Sequence, residues 1–499
     1  MPIGKETLSL KPSNEVRRER LKPTLRPLQV ASLALGCVIG FGAFVLPGDF
    51  LGMAGPLGAV LGVAIGGAAM IVITRSYGLM VETLPVAGGE FAYAYRLGGR
   101  YHAFICGWLL TLGYLCIVPL NATALAVLGK FISPELFARG YLYSIAGFDV
   151  FAGEVLLASA AIVTVGYLQQ RGGRSVGVLQ LVMTATLVTA VVAIGVGTGT
   201  SPGIALSNLD PLFPPEGTPW GAVLSIVAIS PWLYVGFDTL PQAAEEFDFS
   251  PRQGRRLMGG AIIAGAVMYI VVIIATAIVV PWSELLASGT TWATGTTVRI
   301  SSGTVGLVFL TVAVCMAILT GINGFFLASS RLLFSMGRAE VLPAWFATLH
   351  PIRRTPTNAL VFTGVVSLIA PWMGREVILW VVDMSSVGTS VGYFYACAAA
   401  FVVARDLEAS QLATRIRIYA ALGALLSAGF LVLLCVPGMP AFMALPSWIA
   451  LAAWVALGTV FFLTRASRLR LASSKELDYL ILGDDETGAG PTRIRDREI

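Results

Sequence analysis

Two apolar stretches of this sequence carry residues that an unbroken membrane helix would exclude. The first sets Gly36, Gly40 and Gly42 ahead of Pro47; the second sets Ser230, Pro231 and Gly236 ahead of Asp238. Glycine and proline are poor company for a continuous helical ladder. A helix that breaks leaves N–H groups without partners on one side and carbonyls without partners on the other. The N–H end carries partial positive charge and suits a carboxylate; the carbonyl end suits an ammonium or a metal cation. The chemistry expected is therefore capture of a zwitterion by bare main chain. It would need few charged side chains, which hydrocarbon makes costly. The carbonyls around Val38, Ile39 and Gly40 are the expected ammonium or cation partners, and the N–H groups of Gly42 and Ala43 the carboxylate partners. The second stretch is expected to add carbonyls near Ser230 and rings from Trp232, Tyr234 and Phe237, with Tyr114 as a further pocket candidate. Taken singly, each stretch also fits close helix packing at glycine and a kink at proline. Taken together, they sit at corresponding positions of two five-helix halves, the pointer to an inverted-repeat transporter with its site at the breaks.

Charged residues inside apolar segments are the next candidates. Asp238 follows the second break, where it would serve coupling or gating, or cap the half-helix that restarts there. Glu245 and Glu246 come two turns later, where an inner gate with a loop arginine competes with a solvated helix end. Asp383 would line an outer vestibule or pair with a neighbour. Arg75 and Glu82 lie two turns apart on one helix, and neither is given a substrate role. A sodium site would need oxygens between the first break and span 8, which offers Thr320 and Asn323 at mid-depth; their alternative is hydrogen bonding between helices. Metal and nucleophile chemistry lacks raw material. All six cysteines lie in apolar runs without a Cys-x-x-Cys, and the two histidines, His102 and His350, sit at segment ends or in connections. No cofactor is expected; coupling to protons or sodium stays open.

The elements that must position these residues follow from composition. The chain has 499 residues, 56% of them hydrophobic and 12% charged, with a net charge of +5. Mean hydropathy is +0.80. Soluble domains carry about a quarter charged residues, so the solvent here is mostly lipid. Disorder is excluded by the apolar content, and a nucleic-acid partner by the absence of one basic face. The long apolar runs exclude an outer-membrane barrel. At about 20 residues per crossing, twelve spans are read: 27–53, 55–82, 102–131, 150–170, 175–199, 219–247, 255–282, 301–334, 356–373, 376–404, 414–436 and 444–465. With the N-terminus inside, 28 Lys and Arg fall in inner segments and 4 in outer ones. This asymmetry places both termini in the cytoplasm. No short apolar run precedes the first span, so no cleavable signal peptide is expected. An amphipathic stretch from Gly88 to Gly99 is expected at the inner surface, and a flexible tail from 472 to 499.

The quoted residues carry a resemblance. Gly36 to Gly48, Pro85 to Ala94 with its Gly-Gly-Glu-Phe core, Gly236-Phe237-Asp238 with Ala244-Glu245-Glu246, Ser329 to Arg338 with Leu342-Pro343, and Thr355-Pro356 appear in order across spans 1 to 9. In this the chain resembles the amino acid–polyamine–organocation superfamily of permeases. The resemblance implies an all-α integral membrane protein with the leucine-transporter-like fold, a five-plus-five inverted repeat followed by two more helices. The expected divisions are an N-terminal tail (1–26), a first repeat (27–199), a second repeat (219–404), helices 11 and 12 (414–465) and a C-terminal tail (472–499). It also implies alternating access of a small organic solute. Two departures stand out. Many members place a small residue, often Ser, between the glycines of the first break, where this chain has Phe41, a wall or a gate for the pocket. Related proton-coupled permeases place a lysine in span 5, whereas Ser175 to Gly199 holds no Lys or Arg.

The function expected is secondary transport of amino acids or small amines across the cytoplasmic membrane, with spans 3, 8 and 10 closing the sides of the site. The alternatives are an exchanger of amines or polyamines, a transporter-like nutrient sensor signalling through its short tails, and, last, a membrane enzyme, which the placement of histidine and cysteine disfavours. The partners expected are the solute and the bilayer; monomer and homodimer both fit.

Overall fold

The computed structural model describes residues 18–145, 148–290, 292–373, 376–407, 411–439 and 442–483. Sixteen helices organise it. They are α1 (Pro27–Val38), α2 (Gly42–Val45), α3 (Pro47–Thr83), α4 (Glu90–Ile132), α5 (Ala152–Gln170), α6 (Gly173–Gly199), α7 (Pro219–Ala228) and α8 (Ser230–Leu233). The second set is α9 (Thr239–Gln242), α10 (Pro251–Ala277), α11 (Ala293–Arg338), α12 (Thr357–Ser367), α13 (Glu376–Asp406), α14 (Gln411–Cys435), α15 (Leu445–Leu471) and α16 (Ser474–Leu482). Short helical turns between them need no label.

Nine of these, α3 to α6, α10, α11 and α13 to α15, are long and apolar enough to cross a bilayer, counted among the described residues. Three shorter apolar helical stretches, Pro27–Val38, Pro219–Ala228 and Thr357–Met373, fall in the first, sixth and ninth expected spans. In the first and sixth the shortness has a visible cause: the helix stops at Ile39, and again at Ile229, in mid-segment. Where the sequence separates spans 1 and 2, the backbone runs on through a kink at Gly55, whose φ of 66° marks the corner. A similar kink at Gly303 falls at the expected start of span 8.

Side-chain distribution follows the solvent. Leu156, Leu425 and Leu463 are 69%, 70% and 65% exposed, while Thr320, Asn323, Asp238 and Glu90 are wholly buried. Apolar surface outside and polar groups inside is the arrangement lipid selects. The chain is a multi-pass membrane protein. Its inner layer is formed by α1 against α6, α10 and α11, by α4 against α13 and α11, and by α3 against α10 and α7.

Three expectations are corrected. The stretch from Gly88 to Gly99 lies on a surface only in its second half: residues 87–94 are buried while Arg96 and Gly98 are exposed, and Glu90 to Gly98 form the first turns of α4 before its bend at Gly98 and Gly99. Its charged and aromatic residues looked amphipathic because their partners are distant in sequence. The tail is ordered as far as Gly483, since Ser473 caps α16 by accepting from the Glu476 N–H at 3.1 Å. Leu477, Leu480 and Ile481 then bury its apolar face. Residues 1–17 and 484–499 of the expected tails lie outside the described residues. Nor are the described residues purely helical: Tyr141–Ile145 (β1) and Phe148–Phe151 (β2) pair antiparallel in the connection between α4 and α5.

Candidate functional site

The two breaks meet. Ile39 leaves the helix at φ −89° and ψ 79°, and the chain turns through Gly40 and Phe41 into the single turn α2. Opposite, α8 ends at Leu233 and the chain turns through Gly236 into α9. Gly236 has φ of 132°, and a Cβ there would lie 2.5 Å from Cys37 Cβ and 2.7 Å from the Val38 nitrogen. Main chain thus packs on main chain, which only glycine permits. Gly236→Ala is therefore expected to cost about 1–3 kcal/mol, read as a lowered unfolding midpoint of the purified protein, and an unchanged midpoint would contradict the close approach.

Main-chain hydrogen bonding is incomplete on both sides. Among the described residues the N–H groups of Gly40, Phe41 and Gly42 donate to no backbone carbonyl, and the carbonyls of Val38 and Ile39 accept from no backbone N–H. The Ala43 N–H, expected to be free for a carboxylate, instead donates to the Gly40 carbonyl at 3.2 Å, because the chain re-enters helix through a tight i→i+3 turn. The available donors therefore lie one to three residues earlier. In the second break the Ser230 carbonyl is taken by the Tyr234 N–H at 3.0 Å, so among the described residues the open carbonyls begin at Pro231.

Side chains divide into those at the breaks and those turned away. Phe41 and Trp232 pair edge to face, ring centroids 6.1 Å apart, and both are half-buried. Trp232 also covers Gly42, where a Cβ would meet its ring at 2.7 Å, while a Cβ at Gly40 would meet nothing within 4 Å. Phe41 is thus the residue next to the open space at Gly40. Tyr234 is directed elsewhere, donating to the Val63 carbonyl of α3 at 2.7 Å. Phe237 is buried between Tyr77 and Tyr393, with centroids at 5.2 and 5.5 Å. The Ser230 hydroxyl faces Gly66 of α3. Asp383 accepts from Ser447 of α15 at 2.7 Å, the neighbour pairing of its two readings.

Asp238 does not cap α9. Its Oδ1 accepts from the Gly236 N–H at 2.7 Å, bracing the turn before it, and its Oδ2 lies 3.1 Å from the Tyr114 hydroxyl. The same hydroxyl is 3.3 Å from Oε1 of Glu90, which also accepts from Tyr77 at 2.8 Å. Gln242 of α9 donates to the other oxygen of Glu90. Tyr114 therefore belongs to a buried carboxyl cluster and not to the aromatic face. Glu90 was missed as a chemical residue: it sits in the quoted Gly-Gly-Glu motif, but its burial depends on α3 and α9.

The end of the molecule bearing residues 18–26 is sealed by ion pairs. Arg331 Nε donates to Glu246 at 2.7 Å, with 1% and 5% of the two side chains exposed. Arg338 donates to Glu245 at 2.9 Å, and Arg18 approaches the same carboxylate at 3.8 Å. Burial, then the like charge of Arg338, pulls the Arg18 guanidinium down to about 10, still charged at neutral pH. The Thr24 and Leu25 N–H groups both donate to the Glu246 carbonyl at 2.9 Å, so the N-terminal segment straps the seal. Arg18 also donates to the Leu480 carbonyl, tying in α16. Neither Glu245 nor Glu246 is a solvated helix end; both are paired, with arginines of helix α11 and not of a loop.

Thr320 and Asn323 are committed to protein partners. Thr320 donates to the Gly36 carbonyl at 2.8 Å, and the Asn323 amide donates to Gln180 at 2.8 Å while accepting from Gln169. Gln180 and Thr184 of α6 both donate to the Ser32 carbonyl of α1. These bonds clamp α1 between α6 and α11. Among the described residues no group of three or more His, Cys, Asp or Glu side chains is placed to hold a metal ion.

Comparison with known proteins gives the chain a family. Residues 25–462 match the family described as amino acid permease. The methylthioribose transporter of Bacillus subtilis is 26% identical over 76% of this chain and 81% of its own. Cationic amino acid transporter 6 of Arabidopsis thaliana is 26% identical over 78% and 67%, and the branched-chain amino acid permease of Bacillus subtilis 26% over 70% and 74%. These relatives are transporters, not enzymes. With the matched region spanning both breaks and the helices that flank them, the chain belongs to the amino acid permease family of membrane transporters.

Proposed function

We propose that this permease is a secondary transporter of amino acids or related amines, working by alternating access with its solute held between the breaks at 39–41 and 234–238. In this reading the crossings number twelve, the first ten form two inverted five-helix repeats, and both termini lie in the cytoplasm. The 28-to-4 distribution of basic residues supports that orientation, and the membrane in this reading is the cytoplasmic one. One observation carries the reading: Gly236 is in main-chain contact with Cys37 and Val38 beside the open space at Gly40, with unpartnered N–H and carbonyl groups on either side. Such ends bind the two charges of a zwitterion.

The residues around the opening, Gly40, Phe41, Val45, Leu46, Ile229 and Trp232, are half-exposed and carry no charge. They suit an apolar amino acid, and one relative is a branched-chain amino acid permease. Coupling runs on protons through Asp238. Sodium is disfavoured because Thr320 and Asn323 already spend their polar groups on α1 and on the amides of Gln169 and Gln180.

The test is counterflow in proteoliposomes with radiolabelled L-leucine, L-arginine, γ-aminobutyrate and putrescine, with and without sodium and at several pH values. Saturable counterflow of L-leucine, independent of sodium, is expected. Binding without flux would make the chain a sensor, and chemical conversion of a probe would make it an enzyme; either would contradict the proposal.

A further inference from the structure

The geometry points to a shared-proton site formed by Glu90 and Asp238, with Tyr114 carrying the proton between them. It rests on the transport reading only for its consequence, not for its existence. Both carboxyls are wholly buried, and no ion pair among the described residues involves either. Every group facing them is neutral when protonated. These are Tyr77 from α3; Tyr93, Cys106 and Tyr114 from α4; Gln242 from α9; Tyr393 from α13; and Cys37 from α1. The arginines of the sealed end are engaged with Glu245 and Glu246.

Hydrogen counting makes the argument. The Tyr114 oxygen lies 3.3 Å from Glu90 Oε1, 3.1 Å from Asp238 Oδ2 and 3.0 Å from the Asp238 carbonyl. A phenol brings one hydrogen and cannot serve three oxygens that only accept. With both acids ionised, at least one carboxylate oxygen would face the phenol oxygen with no hydrogen between them, in a site with no cation. One added proton resolves this, and two like carboxyls at such a distance share it. The surroundings of Glu90 accommodate that proton. Gln242 is wholly buried, its nitrogen donates to Glu90, and its amide oxygen has no partner. Rotating that amide by half a turn presents the oxygen to Glu90, where a protonated carboxyl would donate to it. The amide thus fits either state of Glu90.

The transfer step balances. Glu90 gives its proton to the Tyr114 oxygen as Tyr114 gives its own hydrogen to Asp238 Oδ2. One O–H bond breaks and one forms at each end, and the net result is a carboxylate at Glu90 and a carboxyl at Asp238, with no change of redox state. Glu90 and Tyr114 belong to α4, on either side of its bend at Gly98 and Gly99, and Asp238 to the second break, so the proton bridges α4 and the broken segment. Losing it places two negative charges across that contact and drives the elements apart, which couples protonation to movement of the break.

The test is infrared difference spectroscopy of the purified full chain in lipid at neutral pH, comparing wild type with Glu90→Gln, Asp238→Asn and the exposed control Glu135→Gln. A protonated-carboxyl band is expected in the wild type and the control, and a displaced band in both single variants, because either acid left alone in this buried, uncharged site keeps a proton but loses the partner that shares it. A band displaced in only one variant would place the proton on a single acid and overturn sharing; a band displaced in neither, or absent from the wild type, would overturn the site. Should a variant not fold, Tyr114→Phe removes the bridging hydrogen and is expected to shift the band, and an unmoved band would count against the relay. In proteoliposomes a one-unit pH gradient should drive about tenfold accumulation per coupled proton in the wild type and none in either acid variant. The spectrum needs no solute. A chain that transports none of the probes yet shows the band pattern fails only the transport reading, and the reverse fails only this one.

Discussion

Arg331→Met is expected to lower the stability of the folded protein by about 3–5 kcal/mol, the cost of leaving a buried partner charge unmatched. The partner is Glu246, held by Arg331 Nε at 2.7 Å and Nη2 at 3.4 Å. Nothing else replaces that match, because the neighbouring Arg338 and Arg18 serve Glu245. The double variant Arg331→Met with Glu246→Gln should recover most of the loss, since it removes the stranded charge along with its counter-ion. Unfolding midpoints in lipid nanodiscs read both effects. The same variants should expose residues 21–25 to hydrogen exchange, because the strap at Thr24 and Leu25 is bonded to the Glu246 carbonyl. A single variant that melts like the wild type and keeps those amides protected would show that the pair is not what seals this end.

Gly42→Val is expected to weaken solute binding by at least about 100-fold, or roughly 3 kcal/mol. A Cβ at this position meets the Trp232 ring at 2.7 Å, with the Leu46 side chain next at 3.4 Å. A β-branched side chain therefore displaces the Trp232 ring from its place over Gly42 and covers the N–H groups of the first break. Gly259→Val is the control, since a Cβ there finds nothing within 4 Å. Binding of L-leucine by scintillation proximity, with folding checked by melting, separates a lost site from a lost fold. Wild-type affinity in a folded Gly42→Val protein would refute a role for those N–H groups.

The breaks were legible in sequence because they rest on backbone chemistry that the local residues carry themselves. Gly36 to Pro47 and Ser230 to Asp238 interrupt an apolar run wherever that run sits, and both interruptions are present. Several side-chain directions were not legible. Tyr234 and Phe237 share a stretch with Trp232, yet only Trp232 stays at the opening, because Val63 offers Tyr234 an acceptor and Tyr77 and Tyr393 enclose Phe237. Those partners lie more than 100 residues away in sequence and leave no local trace. Glu90 was hidden for the same reason. Its neighbours in sequence, Gly88, Gly89, Phe91 and Ala92, do not say what covers it, and α3 and α9 close over it. Ala43 differs in kind: its N–H was expected to be open, and a single tight turn took it.

The claim on which the rest depends is that solute binds in the gap between the two broken segments. Gly40→Cys tests it most directly, since a side chain there enters open space and Cys37, the nearest native cysteine in sequence, is buried. A thiol reagent should label Cys-substituted position 40 in proteoliposomes, and the amino acid giving the largest counterflow should slow that labelling in proportion to its occupancy. Labelling at the same rate with and without a saturating transported solute would contradict the account.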